Sequence, residues 1–246
     1  MNDKVNGLVL RQIDYRDYDV ILLVLTKEYG KISFCARGAK KLTSKNSRHL
    51  LPYTLSEIMF DYVDGKTMFT LKSANTINLY KNIQLDLNLS SCASVIGEVA
   101  DKFSMNGDAN EMFDLVKRSY ELLNSGYDCL MVLGLFLSDV MKLFGISPSV
   151  DSCVYCSNQH INSFSSKEGG FLCNKHAHEY QTPILGVNDL RKIRLMIKGG
   201  LNHIDVIRDA CEFEISDVDL LVDIINRHSG FEINSYNLFK KFLVIE

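Results

Sequence analysis

Across the first eighty residues, apolar and polar positions alternate in short runs rich in β-branched and aromatic side chains: VNGLVLRQI, DVILLVLTKEYG, KISFCARGA, YTLSEIMFDYV and KTMFTLKSANTINLY. Alternation sends successive side chains to opposite faces, so each run predicts a strand with one buried face. Glycine or charged turns separate the runs, and Asp64-Gly65 is a hairpin signal between the last two. Strands this short and closely spaced predict a small antiparallel β-barrel, because closure leaves no long edge open to aggregation.

After Tyr80 the period lengthens. Leu89 to Phe103, Asn110 to Leu123 and Cys129 to Phe144 place apolar residues three and four apart, the spacing of one helix face. Asn124-Ser125-Gly126 breaks the series, and Gly145 and Pro148 stop the third helix. Helical spacing returns at Val187 to Lys198, Ser216 to His228 and Ser235 to Leu243. The expected architecture is α+β and multidomain: a barrel over residues 1–80, then a helical domain over 81–246 with a cysteine-rich module inserted at about 150–182.

Composition agrees with a soluble chain: 46% of its 246 residues are hydrophobic, and it has three prolines and no tryptophan, enough for one or two sizeable cores. Cys129 to Phe144 contains Ser138, Asp139 and Lys142, which marks a buried helix and not a membrane span. Charges at Asp14, Arg16, Asp17 and Asp19 interrupt any signal-peptide core. The expectation is a cytoplasmic chain whose seven cysteines are free thiols or metal ligands.

Three of those cysteines fall in one pattern. Cys153-Val154-Tyr155-Cys156, sixteen residues, then Cys173-Asn174-Lys175-His176 gives two facing knuckles, each offering two ligands from a tight turn. Three thiolates and one imidazole fill a tetrahedron and leave no position for water or substrate, so the expected role is structural, with zinc as the metal. His178 is a second candidate for the fourth ligand, and His160 is expected in solvent. Cys35, Cys92, Cys129 and Cys211 fit strand or helix patterns as small core hydrophobes.

No phosphate-binding glycine loop, dinucleotide fingerprint, zinc-protease helix or nucleophile elbow occurs, so the chain is not expected to be an enzyme. Charge is more informative. Residues 1–80 carry twelve Lys/Arg against eight Asp/Glu, and the remainder fifteen against twenty-two. Lys31 to Arg48 holds six basic residues and no acidic one. In CARGAKKLTSKNSRHLLPY this run links two strands, where mobile cations on a barrel of the oligonucleotide-binding type can track a phosphate backbone. Tyr29, Phe34, Tyr53, Phe60, Tyr62 and Phe69 could stack bases, although most fit alternating core positions.

The opening GLVLRQIDYRDYDVILLVLTKEYGKISFCARGAKKLTSK, with its Gly-Lys turn and Ala-Arg-Gly-Ala-Lys-Lys segment, resembles the bacterial recombination mediator family RecO. The helical region and the knuckles preceded by Gly169-Gly170 extend the resemblance over essentially the whole chain. It implies an N-terminal OB-fold, a helical domain and a structural zinc module. It also implies an ATP-independent, nucleoid-associated protein of the RecF pathway that binds ssDNA and dsDNA and anneals complementary strands. Acting with RecR, such a protein helps load RecA onto DNA covered by single-strand-binding protein (SSB). On this resemblance Arg37, Lys40 and Lys41 fall on the family's basic segment, while Lys45 and Arg48 join them from charge alone. A groove in the helical domain flanked by Lys or Arg is implied for the acidic, Phe-ended C-terminal tail of SSB. His176 stands where many zinc-bearing members carry cysteine, a replacement that tetrahedral zinc tolerates. The alternative is a zinc-stabilised protein-interaction scaffold without a direct DNA role, and a metal-dependent hydrolase would require an open coordination position.

Overall fold

The computed structural model describes residues 3–103 and 109–243. Five strands come first: β1 (Asp3–Tyr15), β2 (Asp19–Thr26), β3 (Gly30–Ala36), β4 (Leu55–Phe60) and β5 (Met68–Asn78). Helices α1 (Lys81–Leu85), α2 (Leu87–Phe103), α3 (Ala109–Asn124) and α4 (Cys129–Leu143) follow, then a hairpin of β6 (Ile161–Ser165) and β7 (Gly170–Cys173). The chain continues through α5 (Asn174–Glu179), α6 (Val187–Lys198), α7 (Ile204–Ala210), α8 (Ile215–Ser229) and α9 (Ser235–Leu243). By compactness it divides into two units, Met1–Tyr127 with Asn234–Glu246, and Asp128–Ile233.

In the first unit the strands close into an OB-like barrel in the order β1-β2-β3-β5-β4. β3 pairs β5 in parallel and the other pairings are antiparallel. The alternation read in the sequence is plainest in β3, where Gly30, Ile32, Phe34 and Ala36 are buried and Lys31, Ser33 and Cys35 are half-buried. At the centre of the core, Phe60 meets Phe34 and Phe69 edge-on with ring centroids 5.0 and 5.1 Å away. Each such side chain contributes roughly 1.5–3 kcal/mol by leaving water. β1 bends to serve two partners: it pairs β4 through Leu8, then shifts register against β2 between Val9 and Arg11. Gly7 lets β1 pack closely on β2, since a Cβ there would lie 2.3 Å from Val24 Cγ1.

The helices of this unit are tied to the barrel by charge as well as packing. Lys31 Nζ donates to the Asp101 carboxylate (2.7 Å) and carbonyl (2.8 Å) on α2, and Lys27 pairs with Asp114 on α3 at 2.9 Å. α9 returns to α2, where Glu98 accepts hydrogen bonds from the Asn234 N–H (3.1 Å), the Ser235 N–H (2.7 Å) and the Ser235 hydroxyl (2.5 Å).

In the second unit α4 is the central helix, buried on nearly every side and packed by α6, α7 and α8. Its apolar composition follows from that position. No described helix is long and apolar enough to cross a membrane. The β6–β7 hairpin and α5, α1 and α7 were not expected from periodicity. α1 and α7 have five and seven residues, too few to show a helical period, and the hairpin lies in the stretch read as loop between knuckles.

Candidate metal centre and nucleic-acid interface

The first knuckle is a turn closed by its own backbone: the Cys153 N–H donates to the Asn158 carbonyl and the Ser157 N–H to the Cys153 carbonyl, each at 2.9 Å. The second is the end of β7, where Cys173 passes directly into α5 and His176 comes one turn later. Gly170 registers the two. Its φ of +152° suits glycine, and a Cβ there would lie 2.1 Å from the Ser149 carbonyl oxygen. That carbonyl accepts the Phe171 N–H at 2.9 Å, and the Phe171 carbonyl accepts the Val154 N–H at 3.0 Å. From α6, Arg194 donates to the carbonyls of Val150 (2.7 Å) and Asp151 (3.1 Å), bracing the segment that enters the first knuckle.

Cys153, Cys156, Cys173 and His176 converge with their donor atoms all within 4.8 Å of one another. Cys156 Sγ lies 3.7 Å from Cys173 Sγ, and His176 Nδ1 lies 3.3 Å from the sulfurs of both Cys153 and Cys173. A tetrahedral ion with metal–sulfur bonds of about 2.3 Å and metal–nitrogen bonds of about 2.0–2.1 Å requires edges of roughly 3.8 Å between sulfurs and 3.5 Å between sulfur and nitrogen. The donor set therefore fits a metal ion. His178 is exposed and outside the set, and His160 is also exposed.

Local electrostatics prepare the thiols. Burial alone would push the Cys153 thiol up, but backbone N–H groups of Cys173, Tyr155 and Cys156 aimed at its sulfur bring it down to about 6. Cys173 is lowered as well, chiefly by the His176 N–H. Burial acts to lower His176, and the adjacent sulfurs of Cys153 and Cys173 outweigh it and raise the imidazole. On the outer side of the knuckle the Tyr155 ring stacks on Tyr180 at 4.7 Å and lies 5.2 Å from the His176 ring. Of the remaining cysteines, Cys92 is buried, whereas Cys35, Cys129 and Cys211 are only half-buried.

On the barrel, the link from β3 to β4 carries Arg37, Lys40, Lys41, Lys45 and Arg48, and all five are exposed. Buried Ala39 and Leu50 anchor this link in the barrel core. Its first part lies on the β1–β2 turn: the Lys40 N–H donates to the Tyr18 carbonyl (3.0 Å), Lys40 Nζ pairs with Asp14 (2.8 Å), and Lys41 Nζ sits 5.6 Å over the Tyr18 ring. Its second part lies on β5. There His49 Nδ1 accepts the Thr76 N–H at 3.0 Å, and burial together with the Arg48 charge lowers the His49 pKa. The structure thus brings Lys45 and Arg48 together with Lys72 of β5 around one hollow, while Arg37, Lys40 and Lys41 belong to the part nearer the β1–β2 turn. Lys72 escaped the sequence reading because it lies in a strand and not in the basic run, although its outward place in the alternation of β5 was a usable signal.

The aromatic residues near this region divide cleanly. Phe34, Phe60 and Phe69 are buried in the barrel core, Tyr53 packs edge-on against Tyr120, and Tyr29 and Tyr62 remain exposed.

Two family profiles match the chain: Recombination protein O N terminal over residues 1–80 and Recombination protein O C terminal over residues 84–183. The DNA repair protein RecO of Halalkalibacterium halodurans is 27% identical over 241 residues, 96% of this chain and 93% of that protein. The DNA repair proteins RecO of Bacillus cytotoxicus and Bacillus mycoides are 31% and 30% identical over 192 residues, 75% of the length on each side. With the barrel matched by one profile, the following helices and the cysteine module by the other, and relatives aligned over most of their own length, the chain belongs to the RecO family.

Proposed function

We propose that this protein is an ATP-independent recombination mediator of DNA repair, without catalytic residues, acting in the RecF pathway. It binds ssDNA and dsDNA, anneals complementary strands, and with RecR helps load RecA onto strands covered by SSB, whose C-terminal tail docks on it. Its place is the cytoplasm, on the nucleoid. Membership of a family whose relatives are DNA repair proteins supports the repair role. The observation that carries DNA binding is the β3–β4 link, which exposes Arg37, Lys40, Lys41, Lys45 and Arg48 on an OB-like barrel while its ends stay anchored in the core. Phosphate contacts demand charge and reach more than fixed geometry, so exposed lysines on an anchored loop suit a backbone of any sequence. The same surface serves annealing, because two polyanions approach only where cations offset their repulsion.

Cys153, Cys156, Cys173 and His176 are proposed to hold a zinc ion in a structural role. Four protein donors within 4.8 Å of one another would fill a tetrahedral ion and leave no position for a substrate. A zinc ion there would join the turn at Cys153 to the start of α5, two short pieces with little core of their own.

Annealing tests this function. Complementary oligonucleotides, bare or coated with SSB, are expected to pair many times faster with the protein than without it. Equal rates in both conditions would contradict a mediator and favour an interaction scaffold.

A further inference from the structure

Three hollows on the barrel adjoin along β5. The first, about 630 Å³, is lined by Lys45, Arg48 and Lys72 among hydroxyl and amide side chains, with no carboxylate in its wall. The second, about 350 Å³, shares Lys72 and adds Lys66 and Phe69. The third, about 170 Å³, shares Lys66 and Phe69 and is walled by Tyr29 and Tyr62. Shared walls make them one track with a cationic end and an aromatic end.

At the aromatic end the Tyr29 and Tyr62 rings stack with centroids 4.9 Å apart, and Tyr62 lies over Phe69 at 5.5 Å. Phe69 is buried, but Tyr29 and Tyr62 are 39% and 40% exposed. Neither tyrosine belongs to the barrel core, which Phe34, Phe60 and Phe69 occupy. Lys31 at this end is held by Asp101, so among the described residues the exposed cation beside the rings is Lys66. Among the described residues that line the track the one carboxylate is Asp61, which pairs with Lys72 at 2.6 Å, with both side chains more than two-fifths exposed. An ion pair that wet contributes little, and a phosphate can take its place beside the lysine.

We propose that a single strand of DNA runs along β5, its phosphates held by Lys45, Arg48 and Lys72 and an unpaired base lodged against Tyr29 and Tyr62 beside Lys66. Every base has a π-face, so such a platform reads no sequence. A base still paired in a duplex cannot turn into the hollow. The cationic end therefore serves either form of DNA, while the aromatic end serves single strands. This inference rests on the DNA-binding reading above and deepens it by adding residues and a strand preference.

The chain has no tryptophan, so Tyr62→Trp places a single indole fluorophore at the aromatic end. Titration with a thymidine oligonucleotide is expected to quench its emission to saturation, and a duplex of equal length to leave it largely unchanged. Tyr62→Ala is expected to weaken single-strand binding about tenfold, within the range for losing one base-stacking ring, and to spare duplex binding. Lys72→Ala should weaken both. Constant emission while the oligonucleotide binds the Tyr62→Trp variant would overturn the track, as would equal losses on single and double strands in a folded Tyr62→Ala variant. If the unsubstituted protein bound no DNA, the DNA-binding reading would fall first and the track with it; if binding depended on Lys40 and Lys41 while emission stayed constant, only the track would fall.

Discussion

Burial would raise the Cys153 thiol, but its sulfur is surrounded by backbone N–H groups of its own knuckle and of Cys173, which hold its pKa down at about 6. Its replacement should be costly for that reason: Cys153→Ser keeps the size and loses the soft anionic ligand. The expected outcome is loss of bound zinc with a marked fall in melting temperature, since apparent binding energies of structural zinc are about 10–16 kcal/mol in small modules. Metal analysis of the purified variants checks the ligand set, with His176→Ala depleted and His178→Ala fully loaded; the reverse result would make His178 the fourth ligand. Gly170→Ala tests the frame that holds the knuckles. A methyl group 2.1 Å from the Ser149 carbonyl oxygen, on a residue with φ of +152°, must move backbone, so a loss of about 2–4 kcal/mol in chemical denaturation is expected.

At the scale of elements, a carboxylate of α2 fastens the start of α9, in addition to the packing of Tyr236 and Phe239. Burial would raise the Glu98 pKa, but Lys102, the Ser235 hydroxyl and the N–H groups of Ser235 and Asn234 overcome this and hold it down at about 2. A carboxyl depressed by folding stabilises the fold above its ordinary pKa, and that contribution is lost as pH falls through the folded value. Glu98→Gln should therefore cost about 1–2 kcal/mol at pH 7, allowing for partial solvent screening, and the gap to the unsubstituted protein should narrow by pH 3. Denaturant titrations at the two pH values measure both; a gap independent of pH would show that the charge is not what fastens α9. Such a contact is invisible in a linear sequence because Glu98 and Ser235 lie 137 residues apart. What the sequence made legible was period. Five runs of alternation became the five strands of the barrel, and the long amphipathic runs became α2, α3, α4, α6, α8 and α9 within a few residues. The knuckle spacing likewise foretold which four side chains meet, because a C-x2-C turn and a Cys one turn before a His bring their ligands together locally. Short elements such as α7 and the β6–β7 hairpin depend on tertiary packing for their existence and left no period to read. Lys72 joined Lys45 and Arg48 only through barrel closure, which sets β5 beside the β3–β4 link.

For the whole molecule, the net charge of -3 conceals a basic barrel and an acidic remainder. A polyanion is attracted by the local field, and the β3–β4 link gives that field reach because its cations are exposed while its ends are buried. Lys40 and Lys41 are the sharpest probes, since Lys40 gives up only an exposed pair with Asp14 and Lys41 only a contact over Tyr18. Their joint replacement by Ala should leave melting temperature and zinc content unchanged. Whether this link holds DNA by its phosphates is decided by the salt dependence of oligonucleotide affinity in the Lys40→Ala, Lys41→Ala double variant. The expected result is weaker binding to all sequences alike and a log–log slope smaller in magnitude by about 2, at roughly 0.9 per phosphate contact on duplex and 0.7 on single strands. An unchanged affinity and slope in the folded double variant would contradict it.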